Sequence, residues 1–125
     1  MKQLSTETII SLHSELIKKS GGTDGVRDFN LLDQSANSPF HTFGGQYLYP
    51  SLQAMAAHLA FSLIKNHPFI DGNKRIGILA MMVFLDINNH PIICTDDDLI
   101  KLGWGLADSS ISEVDLLEWI NSHSE

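Results

Sequence analysis

The feature that most constrains the fold is an uncharged apolar run at residues 76–85. Its side chains would cover every side of a helix, and a helix without a polar face belongs at the centre of a bundle. The run is too short to cross a bilayer, which needs about 20 apolar residues. The sequence therefore predicts a buried central helix at about residues 72–88 in a protein that does not enter a membrane.

Amphipathic helices are predicted around this central one from apolar spacing and from capping signals. The predicted segments are residues 6–19 after Ser5, residues 28–37 with Phe29, Leu31 and Leu32 buried, residues 50–65 beginning at Pro50, a helix after Thr95, and one after Ser112 that ends near His123. Residues 38–49 carry aromatics and a Gly-Gly pair, so they predict an extended flap or loose hairpin. Together these elements predict an all-α, single-domain compact helical bundle over residues 1–125.

The net charge of −7 arises in the second half of the chain. Residues 1–65 carry five cations and five acids, whereas residues 66–125 carry three cations and ten acids. A field of that sign repels a nucleic-acid backbone, so nucleic-acid binding is disfavoured. Two of the three cations are neighbours, Lys74 and Arg75, and this positive pair in an acidic half indicates a small anionic ligand.

The cysteine and histidine pattern predicts no structural metal. Cys94 is the single cysteine, which excludes an intramolecular disulfide and suits a reducing, cytoplasmic location. No histidine pair has convincing spacing for zinc. His13 and His58 lie on or beside apolar helix faces, so we expect both to be packed side chains and not ligands.

The residues just before the central helix carry the candidate chemistry. The first backbone N–H groups of a helix lack internal partners and lie at the positive end of its dipole, so a phosphate is their natural occupant. Gly72 allows close approach of a ligand, and Asn73 adds an amide donor. Lys74 adds a point charge, while Arg75 can bind phosphate oxygens in bidentate fashion.

Two side chains ahead of this helix start extend the inventory. Asp71 would repel phosphate unless a cation intervenes, and a single carboxylate beside phosphates is a usual way to hold Mg²⁺. His67, followed by Pro68, can take a proton from a hydroxyl near neutral pH. This set suits transfer of a phosphate-containing group to a hydroxyl. The alternative is a tight connection between helices with solvated cations.

Residues 67–75, His-Pro-Phe-Ile-Asp-Gly-Asn-Lys-Arg, resemble the signature HxFx(D/E)GNxRxxR of the Fic family. Lys74 replaces the glycine that most adenylylating members carry after the asparagine, and Ile78 stands where they carry the second arginine. Both departures resemble the death-on-curing (Doc) branch, the toxins of toxin–antitoxin systems. The likeness covers roughly residues 4–90, with the upstream pieces in the expected order.

The resemblance implies a role for each matching position. His67 would deprotonate a target hydroxyl and Asp71 would hold Mg²⁺. The residues that would bind the nucleotide phosphates are Gly72, Asn73, Lys74 and Arg75. A flap would align an extended piece of the target protein, and its residues are Thr42, Phe43, Gly44 and Gly45. Ile78 replaces the second arginine, as in the Doc branch. Resemblance to that branch implies that the nucleotide binds in the opposite orientation and that its γ-phosphate is transferred.

The resulting hypothesis is a type II toxin that moves the γ-phosphate of ATP to a Ser or Thr hydroxyl of a translation factor of the elongation factor Tu class, which arrests translation. The alternatives are AMP transfer (adenylylation) and a non-catalytic module that docks an antitoxin or a nucleotide. Two Ser/Glu pairs have the spacing of the family's inhibitory pattern, (S/T)xxxE(G/N), but the Gly or Asn that completes it is missing from both. A separate antitoxin chain is therefore the expected partner.

Overall fold

The computed structural model describes residues 1–124, and helices account for most of them. The helices are α1 (Thr6–Ser20), α2 (Phe29–Asn37), α3 (Leu52–Asn66), α4 (Asn73–Ile87), α5 (Asp96–Ala107) and α6 (Glu113–Ser122). A 3-10 turn, Ser38–Phe40, leads into two short antiparallel strands, β1 (Thr42–Phe43) and β2 (Gln46–Tyr47). The predicted helical bundle with a short hairpin is confirmed. No helix within residues 1–124 is long and apolar enough to span a membrane.

Side-chain capping fixes where most helices begin. Oxygens at the predicted N-cap positions accept hydrogen bonds from the first turns of their helices, and these residues are Ser5, Asp28, Thr95 and Ser112. The predicted start of α3 at Pro50 is wrong. Ser51 caps that helix instead, because its Oγ accepts from the backbone N–H of Ala54 at 3.0 Å.

The central helix α4 packs mainly on α3, with α1 and α5 against other parts of its surface. Its core residues are fully buried, and they are Ile76, Ala80, Met81, Phe84 and Leu85. Met82 and Val83 are only half-buried, so burial does not extend around the whole helix as its composition predicts. Phe29 was also predicted to be buried. It is exposed at the first position of α2, whereas Leu32 is buried as predicted and Leu31 is half-buried.

The two strands form a hairpin with a two-residue turn, in which Phe43 pairs with Gln46. Gly44 and Gly45 have φ values of 59° and 80°. Positive φ at both positions is typical of a type I′ turn, which glycine adopts without strain. Residues 41–48 are all exposed, so the predicted flap is a hairpin that projects from the helices.

Candidate functional site

A six-residue loop between α3 and α4 carries the candidate residues. α3 ends at Asn66, and His67 follows in the left-handed region with φ 46° and ψ 54°. The loop closes at Gly72, also left-handed at φ 75°, which is the N-cap of α4. Phe69 is 1% exposed and anchors the loop in the core, while Ile70 is 55% exposed. His67 is exposed to solvent.

Asn73 fastens the loop from the first turn of α4. Its Oδ1 accepts from the backbone N–H of Phe69 at 2.9 Å, and its Nδ2 donates to the carbonyl of Phe69 at 3.0 Å. Nδ2 also lies 3.4 Å from His67 Nδ1, near the long limit of a hydrogen bond. Asn73 is buried, at 8% exposed. In this structure its amide serves the loop backbone, which differs from the free phosphate donor that the sequence predicts.

The segment after α1 supports the same loop through hydrogen bonds. Arg27 donates from Nε to the carbonyl of His67 at 2.6 Å and from Nη2 to the carbonyl of Asn66 at 2.8 Å. The backbone N–H of Ile70 donates to the carbonyl of Gly25 at 3.0 Å. Sequence reasoning missed this support because it joins residues about forty positions apart.

Asp71 is a half-exposed carboxylate with two backbone donors. Its Oδ2 accepts from Thr23 N at 3.1 Å and its Oδ1 from Gly72 N at 2.8 Å. The hydrogen bond from Thr23, followed by that from Gly72, holds the pKa of Asp71 below its usual range, so the group is ionised. Arg75 lies farther off, with its Nη2 3.8 Å from Oδ1 of Asp71.

The side chains around Asp71 fit one kind of metal ion. Within residues 1–124 no three His, Cys, Asp or Glu side chains are placed to hold a metal together. Mg²⁺ does not need such a cage, because one carboxylate, phosphate oxygens and water satisfy it. The ionised and accessible Asp71 fits that arrangement.

A buried histidine that the sequence predicts to be packed also supports the loop. His13 is fully buried, and its ring stacks on Phe69 with centroids 3.8 Å apart. Its Nε2 lies 2.7 Å from the carbonyl oxygen of Asp71. Because a carbonyl can only accept, Nε2 carries the proton and donates. One signal could have found this contact: a histidine within an apolar stripe needs a partner for its ring N–H.

The two adjacent cations have different surroundings. Arg75 donates from Nη1 to Ser20 Oγ at 2.6 Å and to the carbonyl of Gly21 at 2.8 Å, so it ties α4 to the end of α1. Lys74 is exposed and makes no ion pair within the described residues. Lys74 is therefore the cation that is available to an incoming ligand at this helix start.

The N-terminus of α4 has no side-chain cap, unlike each of the other five α-helices in residues 1–124. Its first internal hydrogen bond runs from Ile76 N to the carbonyl of Gly72 at 2.9 Å. The N–H groups before that bond are unsatisfied donors at the positive end of the helix dipole. A cavity of about 450 Å³ opens here, and its lining residues are His67, Ile70, Asp71, Gly72, Asn73, Lys74 and Arg75. The predicted flap residues are not among them.

Fold and site together define a helical-bundle protein with an uncapped helix start beside an exposed histidine. The model of the Fic/DOC family matches residues 3–85, and the chain belongs to that family. The chain is 46% identical over 68 residues to the protein named Toxin Doc from Mycolicibacterium smegmatis, a match that covers 54% of this chain and 52% of the relative. The chain thus spans about half the length of this curated relative. The family predicted from residues 67–75 is confirmed.

Proposed function

We propose that the chain is the toxin of a toxin–antitoxin system and a transferase that moves the γ-phosphate of ATP to a Ser or Thr hydroxyl of a translation factor of the elongation factor Tu class. The observation that carries the proposal is the uncapped start of α4, which meets Lys74, an ionised Asp71 and the exposed His67 around one cavity. The toxin class is supported by the family and by the relative's name.

The helix start would bind and orient the phosphates. Backbone donors and the helix dipole favour an anion, and Lys74 adds a mobile charge. Arg75 is held by the end of α1, so it would contribute from a fixed position. Asp71 would hold Mg²⁺, which would supply charge neutralisation at the phosphates. Asn73 would act through the loop, by keeping His67 and Phe69 in place.

His67 would act as the general base. A neutral imidazole accepts the proton of the target hydroxyl, the hydroxyl oxygen attacks the γ-phosphorus, and the bond from that phosphorus to ADP breaks. Because the amide nitrogen of Asn73 can only donate, Nδ1 of the exposed ring is unprotonated, and the long contact leaves that nitrogen able to accept the proton. Phosphorylation of the target would arrest translation, and the cell would need a separate antitoxin chain to restrain the protein.

Position 78 favours phosphate transfer over AMP transfer. Ile78 is half-buried and packs against the core one helical turn after Arg75. No second arginine is therefore present there to hold the nucleotide with its α-phosphate toward His67, as in adenylylating relatives. AMP transfer remains the second candidate, since it uses the same base and the same helix start and differs only in which phosphorus is attacked.

Intact-mass analysis of the target separates these activities. Purified protein is incubated with ATP, Mg²⁺ and a bacterial elongation factor Tu, and we expect a mass increase of one phosphate. An increase of a whole AMP would replace the kinase by an adenylylating enzyme. A protein that binds ATP but modifies no target would support a docking module. Co-expression with the cognate antitoxin should remove the growth arrest that the protein causes alone.

Two substitutions at His67 test the base. Modification should be lost in His67→Ala and in His67→Gly, while His90→Ala, which removes an exposed histidine elsewhere, should retain it. Glycine relieves the left-handed backbone strain at position 67. The free energy of unfolding of His67→Gly should therefore be no lower than that of the wild type, and up to about 0.5–1 kcal/mol higher. Modification that persists in both His67 variants would exclude this histidine as the base.

A further inference from the structure

A second polar cluster lies around His58 on α3, away from the candidate site. Its Nδ1 is 3.0 Å from Glu113 Oε1 at the start of α6. Its Nε2 is 3.0 Å from Ser38 Oγ and 3.2 Å from Ser62 Oγ. The ring of Tyr49 stacks on the imidazole, with centroids 4.1 Å apart. The side chain of His58 is 18% exposed, so these contacts form a largely enclosed network.

The chemistry of the partners fixes the direction of the hydrogen bonds. An ionised carboxylate can only accept, so Nδ1 of His58 donates to Glu113. In the neutral imidazole Nε2 then accepts from a serine hydroxyl, and Ser38 is the nearer one. Partial burial, and after it the charge of Glu113, raises the pKa of Tyr49, so its ring remains neutral beside the imidazole.

The partners of His58 lie at both ends of the segment that carries the hairpin. Ser38 begins the segment and Tyr49 ends it. Near the first end, Phe40 packs on Phe84 with ring centroids 5.6 Å apart. Residues 41–48 between the two ends are exposed. The backbone N–H of Leu48 donates to the backbone carbonyl of His41, within the hairpin itself. The position of the hairpin relative to the helices therefore depends on its two ends.

We infer that His58 is a positioning residue that clamps both ends of the hairpin segment to α3 and α6. The clamp fixes the position in which the hairpin, as the flap, would contact a target protein. The target-aligning role of the flap rests on the proposed function. The clamp itself does not, because it is a property of the free protein. Phe43, which is exposed near the tip of the hairpin, would meet the target with the geometry that this clamp sets.

The order hydroxyl, imidazole, carboxylate also occurs in serine hydrolases. Two observations favour a clamp here. Two hydroxyls share Nε2 of His58, and Tyr49 covers a face of its ring. The contacts with Ser38 and Tyr49 join both ends of one exposed segment, which is what a mechanical support requires and what nucleophilic catalysis does not.

The backbone order of the hairpin tests the clamp without any target. ¹⁵N relaxation should show residues 41–48 becoming mobile in His58→Ala, with order parameters falling below about 0.6, while α4 stays rigid. Ser38→Ala cuts one tie, leaves the imidazole in place, and should give a smaller decrease. His58→Gln keeps an amide donor for Glu113 and should restore part of the order. His90→Ala, an exposed histidine, should match the wild type.

The kinetic test uses the same variants. In His58→Ala, KM for the protein target should rise about tenfold, because the mobile hairpin must then be ordered on binding, while kcat and the Kd for ATP stay unchanged. Hairpin order that is unchanged in the folded variants His58→Ala and Ser38→Ala would overturn the inference, as would a loss in kcat alone. If the wild type modifies no target, the proposed function fails, and the relaxation data still decide whether the clamp exists.

Discussion

Replacing Asn73 by alanine tests whether one buried side chain holds the loop that carries His67. The change deletes two hydrogen bonds, 2.9 and 3.0 Å long, to the N–H and C=O of Phe69. Phe69 is 1% exposed, so both groups would lose their partners away from water. Each unsatisfied buried group costs about 1–3 kcal/mol. Alanine returns roughly 0.5 kcal/mol through its helix propensity.

We therefore expect Asn73→Ala to lower the free energy of unfolding by about 2–4 kcal/mol. Urea denaturation followed by circular dichroism measures this change in the absence of nucleotide. Asn30→Ala is the matched control, because Asn30 is exposed on α2. That control should change the unfolding free energy by less than about 0.5 kcal/mol.

The competing role for Asn73, as a donor to phosphate, predicts a different pair of results. Stability without nucleotide would then be nearly unchanged, and the Kd for ATP would rise. A loss below about 1 kcal/mol in Asn73→Ala, together with weaker ATP binding, would refute the loop-holding role. A large loss of stability with slower target modification would support it, since a displaced His67 cannot reach the hydroxyl.

Two further predictions concern Asp71 and the packing of α3 against α4. The pKa of Asp71 lies below its usual 3.8, chiefly because of the N–H of Thr23, so its ionised form stabilises the fold above that value and the contribution disappears as the pH falls through the lower folded pKa. Urea titrations should show the wild type losing stability faster than Asp71→Asn below about pH 4, and parallel curves would contradict this. In Gly77→Ala the new methyl would lie 2.8 Å from Cγ1 of Ile64. That variant should lose about 1–3 kcal/mol, whereas Gly103→Ala, which points into open space, should gain about 0.5–1 kcal/mol. Equal effects would exclude the close approach.

The parts of the fold that the sequence predicts well depend on neighbouring residues. Thr95 and Ser112 act as N-caps because a hydroxyl and an acid three residues later satisfy each other's backbone groups, and the structure has both capping boxes. Gly44 and Gly45 also predict the hairpin locally, because glycine adopts the positive φ values of its turn without strain. The predicted helix start at Pro50 is wrong. Proline suits the first turn of a helix, but the hydroxyl of Ser51 accepts a hydrogen bond from the backbone N–H of Ala54 and so caps α3.

The support of the candidate site could not be predicted because it comes from distant parts of the chain. His13 and Thr23 bind Asp71 from α1 and from the segment after it, and Arg27 binds the carbonyls at the end of α3. Nothing near residues 67–75 in the sequence indicates these partners. The motif predicts the proposed chemistry, while the contacts that hold its residues in place come from α1 and the segment that follows it.

His67 is the residue where local preference and the site disagree. A left-handed residue after a helix is a position where glycine costs least, yet this position carries a histidine at φ 46°. The conformation persists because Arg27 holds the carbonyls on both sides of the turn, at Asn66 and at His67 itself. The exposed imidazole adds little to core packing, so packing does not explain its presence. Under the proposed function the explanation is chemical, since glycine would relieve the strain and remove the base that the transfer requires.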